Sequence, residues 1–334
     1  MRILVTGAAG FIGSHLCDEL LSCGHAVTGL DNLRNGSLRN LESASANPNF
    51  RFIQGDILSQ NDCRSACEGQ SVVFHLACLG VRHSLHSPFE NHRVNAEGTL
   101  QVLQAACDLN VQRFFYISTS EVYGRTDTFP IAERCPTVPT TVYGASKLAG
   151  EHYSLAFREA FGLQSTVFRI FNNYGPRSHF EGDAGEMIPR SIVRLLNGQP
   201  PVVFGDGRIT RDFFFVRDTA RILGRMLAVP GIEGATINIG TGLEISMREL
   251  AERLVRTSDS PELAVQYLED RPADVPRLWV DNTKLRSMMS LGDLMPFADG
   301  LAETWRYFSG LDSPENLLRR LSLNNWAAAA EKSA

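Results

Sequence analysis

Arg2-Ile-Leu-Val-Thr6, then Gly7-Ala-Ala-Gly10-Phe11-Ile12-Gly13, then Ser14-His-Leu-Cys-Asp-Glu-Leu-Leu-Ser-Cys-Gly24 follow one another without a break. The first run is short and apolar, as in a buried strand, and the last has helical periodicity. Three glycines at G-x-x-G-x-x-G spacing let the backbone between them turn sharply and approach an anion, which the helix N-terminus then attracts. A glycine triplet alone is weak evidence. A strand before it, a helix after it and an acidic residue ending the next strand make it the signature of a dinucleotide site. That next strand is His25-Ala-Val-Thr-Gly-Leu30, and Asp31-Asn32 ends it. A carboxylate there accepts both hydroxyls of an adenosine ribose and repels a 2′-phosphate, so the expected cofactor is NAD rather than NADP. Arg34, close by, is the counter-argument, since an arginine tolerates that phosphate. The expected cofactor contacts are Gly7, Gly10, Phe11, Ile12, Gly13, Asp31 and Asn32.

Further strands are expected at Phe50–Gln54, Ser71–His75, Arg113–Ser118 and Gln164–Ile170, with a long helix from Pro88 to Asn110. Alternating strands and helices imply an α/β fold, a doubly wound parallel sheet. Ser246-Met-Arg-Glu249 has the pattern of a capping box. The chain of 334 residues is 43% hydrophobic and 21% charged, with a formal charge of -5, which argues against a broad nucleic-acid footprint. Seven cysteines, without paired spacing, argue against a disulfide framework. The sequence shows no metal-ligand cluster, no apolar run of membrane-spanning length and no room for a signal peptide before the first strand, so a cytoplasmic location is expected.

Tyr143-Gly-Ala-Ser-Lys147 opens a second constellation, since the following LAGEHYSLAFREA has helical periodicity. Tyr143 and Lys147 are therefore expected on one helix face, pointing at a common place. An ammonium near a phenol favours phenolate and would make the tyrosine a base near neutral pH. By itself this spacing is equally that of a solvated helix. The strand Arg113–Ser118 changes the weighting, because it ends in Thr119-Ser120-Glu121 and so delivers three polar residues to the carboxyl edge of the sheet, where such sheets bind ligands.

Together these stretches resemble the extended short-chain dehydrogenase/reductase family, specifically its nucleotide-sugar epimerases, dehydratases and decarboxylases, from Met1 to about Phe308. The resemblance implies an NAD-binding Rossmann domain over residues 1–170, to which later segments return. A smaller α/β nucleotide-sugar-binding lobe would span 171–320, with a flexible tail at 327–334. It places Asp56 and Ile57 at the adenine, and Leu76 and Ala77 beside the cofactor, with Cys78 where an alanine is usual. Asn95 would support the tyrosine region. Arg82, with His83 and Ser84, falls near the sugar pocket or in an exposed loop. Asn172 would face the substrate pyrophosphate and Phe204 the nucleotide base. Arg211 and Arg271 would pair with phosphate, a task suited to the arginine fork. His75 is expected as a packed histidine and residues 177–186 as a mobile loop over substrate. Helices 88–110 and 142–162 would form a homodimer interface.

In the family, Tyr143 would take the proton of the sugar 4-hydroxyl while hydride leaves C4 for the nicotinamide. Thr119 would bond the same oxygen and Lys147 the nicotinamide ribose. The resulting 4-ketone acidifies the C5 proton, and three outcomes branch from it. Glu121 is a carboxylate able to take that proton, with Ser120 as a relay, which favours a 4,6-dehydratase. UDP-glucuronate decarboxylases share Thr-Ser-Glu, although Cys78-Leu79-Gly80 lacks their proline-rich stretch. Many 4-epimerases have small residues where Glu121 stands. A catalytically idle NAD-binding regulator is opposed by the joint presence of Thr119, Tyr143 and Lys147.

Overall fold

Strands β1 (Arg2–Thr6), β2 (Ala26–Asp31), β3 (Phe50–Gln54), β4 (Val72–His75), β5 (Arg113–Thr119) and β6 (Gln164–Ile170) join Thr236–Ile239 in one seven-stranded sheet. The computed structural model describes residues 1–327, so the expected tail lies outside the described residues from 328 onward. All pairings in the sheet are parallel, in the order β3-β2-β1-β4-β5-β6 and then Thr236–Ile239. The strand order reverses between β1, which pairs with β2 on one side, and β4 on the other. This is the doubly wound Rossmann-type α/β fold, and the crevice at such a reversal is where these sheets place ligands.

Both faces of the sheet are covered, which is why its central strands are almost wholly apolar. Alternation sorts them: Val5, Phe74 and Phe115 pack on one face with Leu16 and Leu20 of the helix Phe11–Ser22. Leu4, Val73 and Phe114 pack on the other with Val102 and Leu103. A separate core holds the smaller lobe together, where Ile192 and Leu195 of the helix Met187–Leu196 meet Leu250, Leu254, Phe308 and Leu317. Ser246 caps the helix Met247–Thr257 by accepting from the Glu249 N–H at 3.1 Å. No helix among the described residues is long and apolar enough to cross a membrane.

The helix expected from Pro88 to Asn110 is interrupted. It runs as Pro88–His92, a π-helical turn Arg93–Glu97, and Gly98–Asp108. Asn95 lies in that turn and reaches the Leu79 N–H at 2.8 Å, the Leu79 carbonyl at 2.9 Å and Ser146 Oγ at 3.2 Å. The wider turn aims one amide at the loop after β4 and at the tyrosine helix together.

His75 is fully buried at the end of β4, with Nδ1 2.7 Å from Thr6 Oγ1 and Nε2 3.0 Å from Thr99 Oγ1. Burial, then the charge of Lys147, pushes it from 6.5 down to about 3. The unfolded chain therefore takes up a proton that the folded chain refuses. The contribution is fully present above pH 6.5 and is lost as pH falls toward 3, by at most about 1.4 kcal/mol per pH unit. Urea unfolding is expected to show lower stability near pH 5 than near pH 7, with a smaller difference in His75→Gln. An equal pH dependence in the two proteins would refute the linkage.

Candidate active site

The turn after β1 has no room for side chains. Gly7 has φ 69°, and a Cβ on it would lie 2.9 Å from the Ala77 backbone; one on Gly13 would lie 2.1 Å from the Gly7 carbonyl oxygen. Both glycines hold strand, turn and helix close enough for a pyrophosphate to rest on bare backbone. The helix Phe11–Ser22 has no acidic residue in its first turn to cancel its dipole. Asp31 is fixed at the end of β2, with Oδ2 accepting from the Ala9 N–H at 2.9 Å and Oδ1 from the Leu33 N–H at 2.8 Å. Burial pushes its carboxyl up and those two N–H groups oppose the rise. Arg34 forks onto Glu90, with Nη2 at 3.0 Å from Oε2, and so does not leave its guanidinium free for a 2′-phosphate.

A cleft of about 390 Å³ runs from this turn across the carboxyl ends of β1, β4 and β5 to the smaller lobe. Gly7, Gly10, Phe11, Ile12, Gly13, Asp31, Asn32, Ile57, Leu76 and Ala77 all line it. Asp56 does not: its Oδ1 accepts from the Leu58 N–H at 2.8 Å and its Oδ2 from Asn32 at 3.0 Å. Its carboxylate shapes the loop after β3 and leaves the cleft wall there to Gly55 and Ile57.

Thr119, Ser120, Glu121, Tyr143 and Lys147 converge on the same cleft. The helix Val142–Phe161 begins at Thr141, whose hydroxyl accepts from the Gly144 N–H at 3.1 Å, and ends at Gly162 with φ 77°. Its first turn therefore presents Tyr143 across from the end of β5, on the same cleft wall as Thr119. Burial, then Cys78, pushes the phenol well above its ordinary range, with Thr119 opposing the rise. Lys147 is buried with Nζ 4.3 Å from the centre of the Tyr116 ring, and burial lowers its pKa. The Lys147 ammonium thus rests on an aromatic face.

Glu121 is raised by burial, with Arg211 the first of the opposing charges. Arg211 Nη1 donates to the Val275 carbonyl at 2.7 Å, and Arg271 forks onto Asp274 at 2.9 and 3.2 Å. Both line the cleft, as does Asn172, whose Oδ1 is buried without a partner among the described residues. Arg82, also on the wall, forks onto Glu186 at 3.2 Å for each bond. Phe204 lines an adjoining cavity of about 40 Å³ instead, beneath the Arg271 guanidinium. Cleft residues that sequence reasoning did not assign include Gly36, His179, Asp183, Glu186 and Trp326. For three of them the signal was the polar, glycine-containing stretch 177–186, whose side chains reach the cleft wall.

Residues 3–240 match the sequence model of the NAD dependent epimerase/dehydratase family. The chain belongs to this family. It is 36% identical over 311 residues to a UDP-glucose 4-epimerase of Mycolicibacterium smegmatis, covering 92% of this chain and 98% of that one. It is 37% identical over 317 residues to a dTDP-glucose 4,6-dehydratase of an Actinoplanes species, with the same two coverages, 92% and 98%. The solved dTDP-glucose 4,6-dehydratase of Streptomyces venezuelae, with NAD bound, superposes with a TM-score of 0.88 at 33% identity, over 93% of this chain and 98% of that one. NAD is accordingly the cofactor, and the turn, the helix dipole and Asp31 fit it. Removing the Asp31 charge in Asp31→Asn is expected to weaken NAD binding by about tenfold or more and to narrow the preference over NADP. Calorimetric titration of both dinucleotides checks this; NADP bound more tightly than NAD by the unaltered protein would contradict it.

Proposed function

We propose that the chain is a nucleotide-sugar 4,6-dehydratase. The observation that supports it is Glu121, a carboxyl raised by burial and set in one cleft with the Thr119–Tyr143 pair. A carboxyl poised above its usual range is suited to take a proton and give it back in the same turnover. Bound NAD supplies the hydride acceptor at C4 and a positive charge that favours the phenolate. Tyr143 takes the proton of the 4-hydroxyl while Thr119 holds that oxygen. Glu121 then takes the C5 proton, acidified by the 4-ketone, and delivers it to the 6-hydroxyl as that group leaves as water. Hydride would return to C6, and the proton taken from the 4-hydroxyl balances the one gained at C5. Arg211 and Arg271 hold the diphosphate, each through a planar fork.

A UDP-glucuronate decarboxylase is the second reading. Arg82 favours it, since its Nε is buried without a partner among the described residues and its guanidinium lies on the cleft wall, where a sugar carboxylate would be received. On the outer surface Phe89 and Phe161 are 87% and 65% exposed. They belong to the two helical segments expected at a homodimer interface, and support that assembly.

In Glu121→Gln the dehydratase is expected to oxidise C4 but stall before water is lost. Nicotinamide absorbance would then rise without product lighter by water. Efficient turnover of UDP-glucuronate by that variant would favour the decarboxylase, and interconversion at C4 without mass change would indicate an epimerase. Tyr143→Phe should bind substrate and NAD while C4 oxidation falls by roughly a hundredfold or more; near-normal turnover would remove the phenol from the mechanism.

A further inference from the structure

The segment after the last long helix returns to the substrate side of the cleft. Its short helix Pro314–Arg319 buries Leu317 in the core of the smaller lobe. Beyond it, Arg320 donates from Nε and Nη2 to the two carboxylate oxygens of Glu181 at 2.7 and 2.6 Å. Asn325, 1% exposed, donates from Nδ2 to the carbonyls of Gly182 at 3.0 Å and Gly185 at 3.1 Å. Arg190 in turn donates to the carbonyls of Ser322 at 2.6 Å and Leu323 at 2.9 Å. From the other side, His86 lies 2.9 Å from Asp183 and Arg82 forks onto Glu186. The loop 177–186, expected to be mobile, is thus tied down between the start of the cleft and the end of the chain.

The segment also reaches the ligand space itself. Trp326 lines the main cleft, and Leu323 lines the smaller cavity that adjoins it through Arg82, Arg271 and Asp274. The Trp326 ring meets Phe204 edge-on at 4.7 Å, and the Arg271 guanidinium lies 5.5 Å over the same Phe204 ring. Two rings and a guanidinium make a surface suited to the flat face of a nucleobase, which stacks on aromatic and arginine planes.

We infer that the C-terminal segment is a wall of the nucleotide site, in which Trp326 contacts the base of a nucleoside diphosphate and Asn325 is the residue that positions it. This rests on the nucleotide-sugar reading above. Asn325 acts by joining the segment to the loop carbonyls, so its loss loosens Trp326 without removing any group that touches the ligand. Trp326 packs on Phe204 beside the Arg271 guanidinium, so its contribution falls on the base and not on the chemistry at C4.

The test is titration of the NAD-loaded protein with UDP, dTDP, GDP and CDP, by calorimetry and by tryptophan fluorescence. Trp326→Ala is expected to weaken the best-bound diphosphate by about tenfold or more, with the loss appearing in KM for the nucleotide sugar rather than in kcat. Trp326→Phe should restore most of that affinity but reduce the fluorescence response to what Trp279 and Trp305 contribute. Asn325→Ala should weaken the same diphosphate while NAD binding stays as in the parent. Equal diphosphate affinity in Trp326→Ala and the parent would overturn the inference and leave the nucleotide-sugar reading standing. Binding of none of the four diphosphates by the parent would overturn both.

Discussion

The placement of the helix that carries Tyr143 and Lys147 depends on one buried ion pair. Glu151, on the helix Val142–Phe161, accepts from Arg169 of β6 at 2.7 Å and 3.0 Å, and from the Ser118 hydroxyl at the end of β5 at 2.5 Å. Arg169 also lies 4.7 Å over the Tyr123 ring. Two charges taken out of water are tolerated only when their remaining hydrogen-bonding capacity is met, and here a hydroxyl, a fork and an aromatic face meet it. Removing either partner leaves the other stranded, so the pair fixes the rotation of the helix against the sheet. Gly150, one residue earlier, lets the helix come close: a Cβ there would sit 2.2 Å from the Tyr116 hydroxyl oxygen. One turn toward the N-terminus, Lys147 then reaches the Tyr116 ring and Tyr143 lines the cleft with Thr119. The geometry at the cleft follows from a contact outside it, since neither Glu151 nor Arg169 lines its wall.

The cleft carries opposed charges held apart by structure. Arg82, Arg211 and Arg271 face Glu121, Glu186 and Asp274. Burial, then the charge of Arg82, lowers Arg271, and the same two causes push Arg190 down to about 9. Burial raises Glu186, and Arg82 outweighs it and holds the carboxyl below its usual range. Glu121 is left raised. The proposed diphosphate would relieve arginines that are crowded and desolvated, and Asp274, already forked by Arg271, is the group it would displace or share with.

The sheet and its dinucleotide turn were legible in the sequence because they rest on local rules: two-residue alternation, apolar runs, and glycines where a Cβ cannot fit. The convergence of Thr119 with Tyr143 was legible for a related reason, since a strand end and a helix start each have a fixed direction. Partners distant in the chain were not legible. The π turn at Arg93–Glu97 exists because Asn95 bonds Leu79, and the loop 177–186 is held by Arg82, His86, Arg320 and Asn325. The bonds that fix Asp56, from the Leu58 N–H and from Asn32, were not legible either. Lys147 has the expected spacing from Tyr143, yet only the fold shows that its charge rests on Tyr116.

The central claim is that Tyr143, Thr119 and Glu121 carry a sugar through oxidation at C4 to loss of water at C6. Turnover of nucleotide hexoses carrying deuterium at C4 tests it most directly, with products read by mass spectrometry and proton NMR. The account predicts a 4-keto-6-deoxy product, lighter by one water, with the label moved from C4 to C6 within the same molecule. Label retained at C4 in a product of unchanged mass, or label absent from C6 in the dehydrated product, would contradict it.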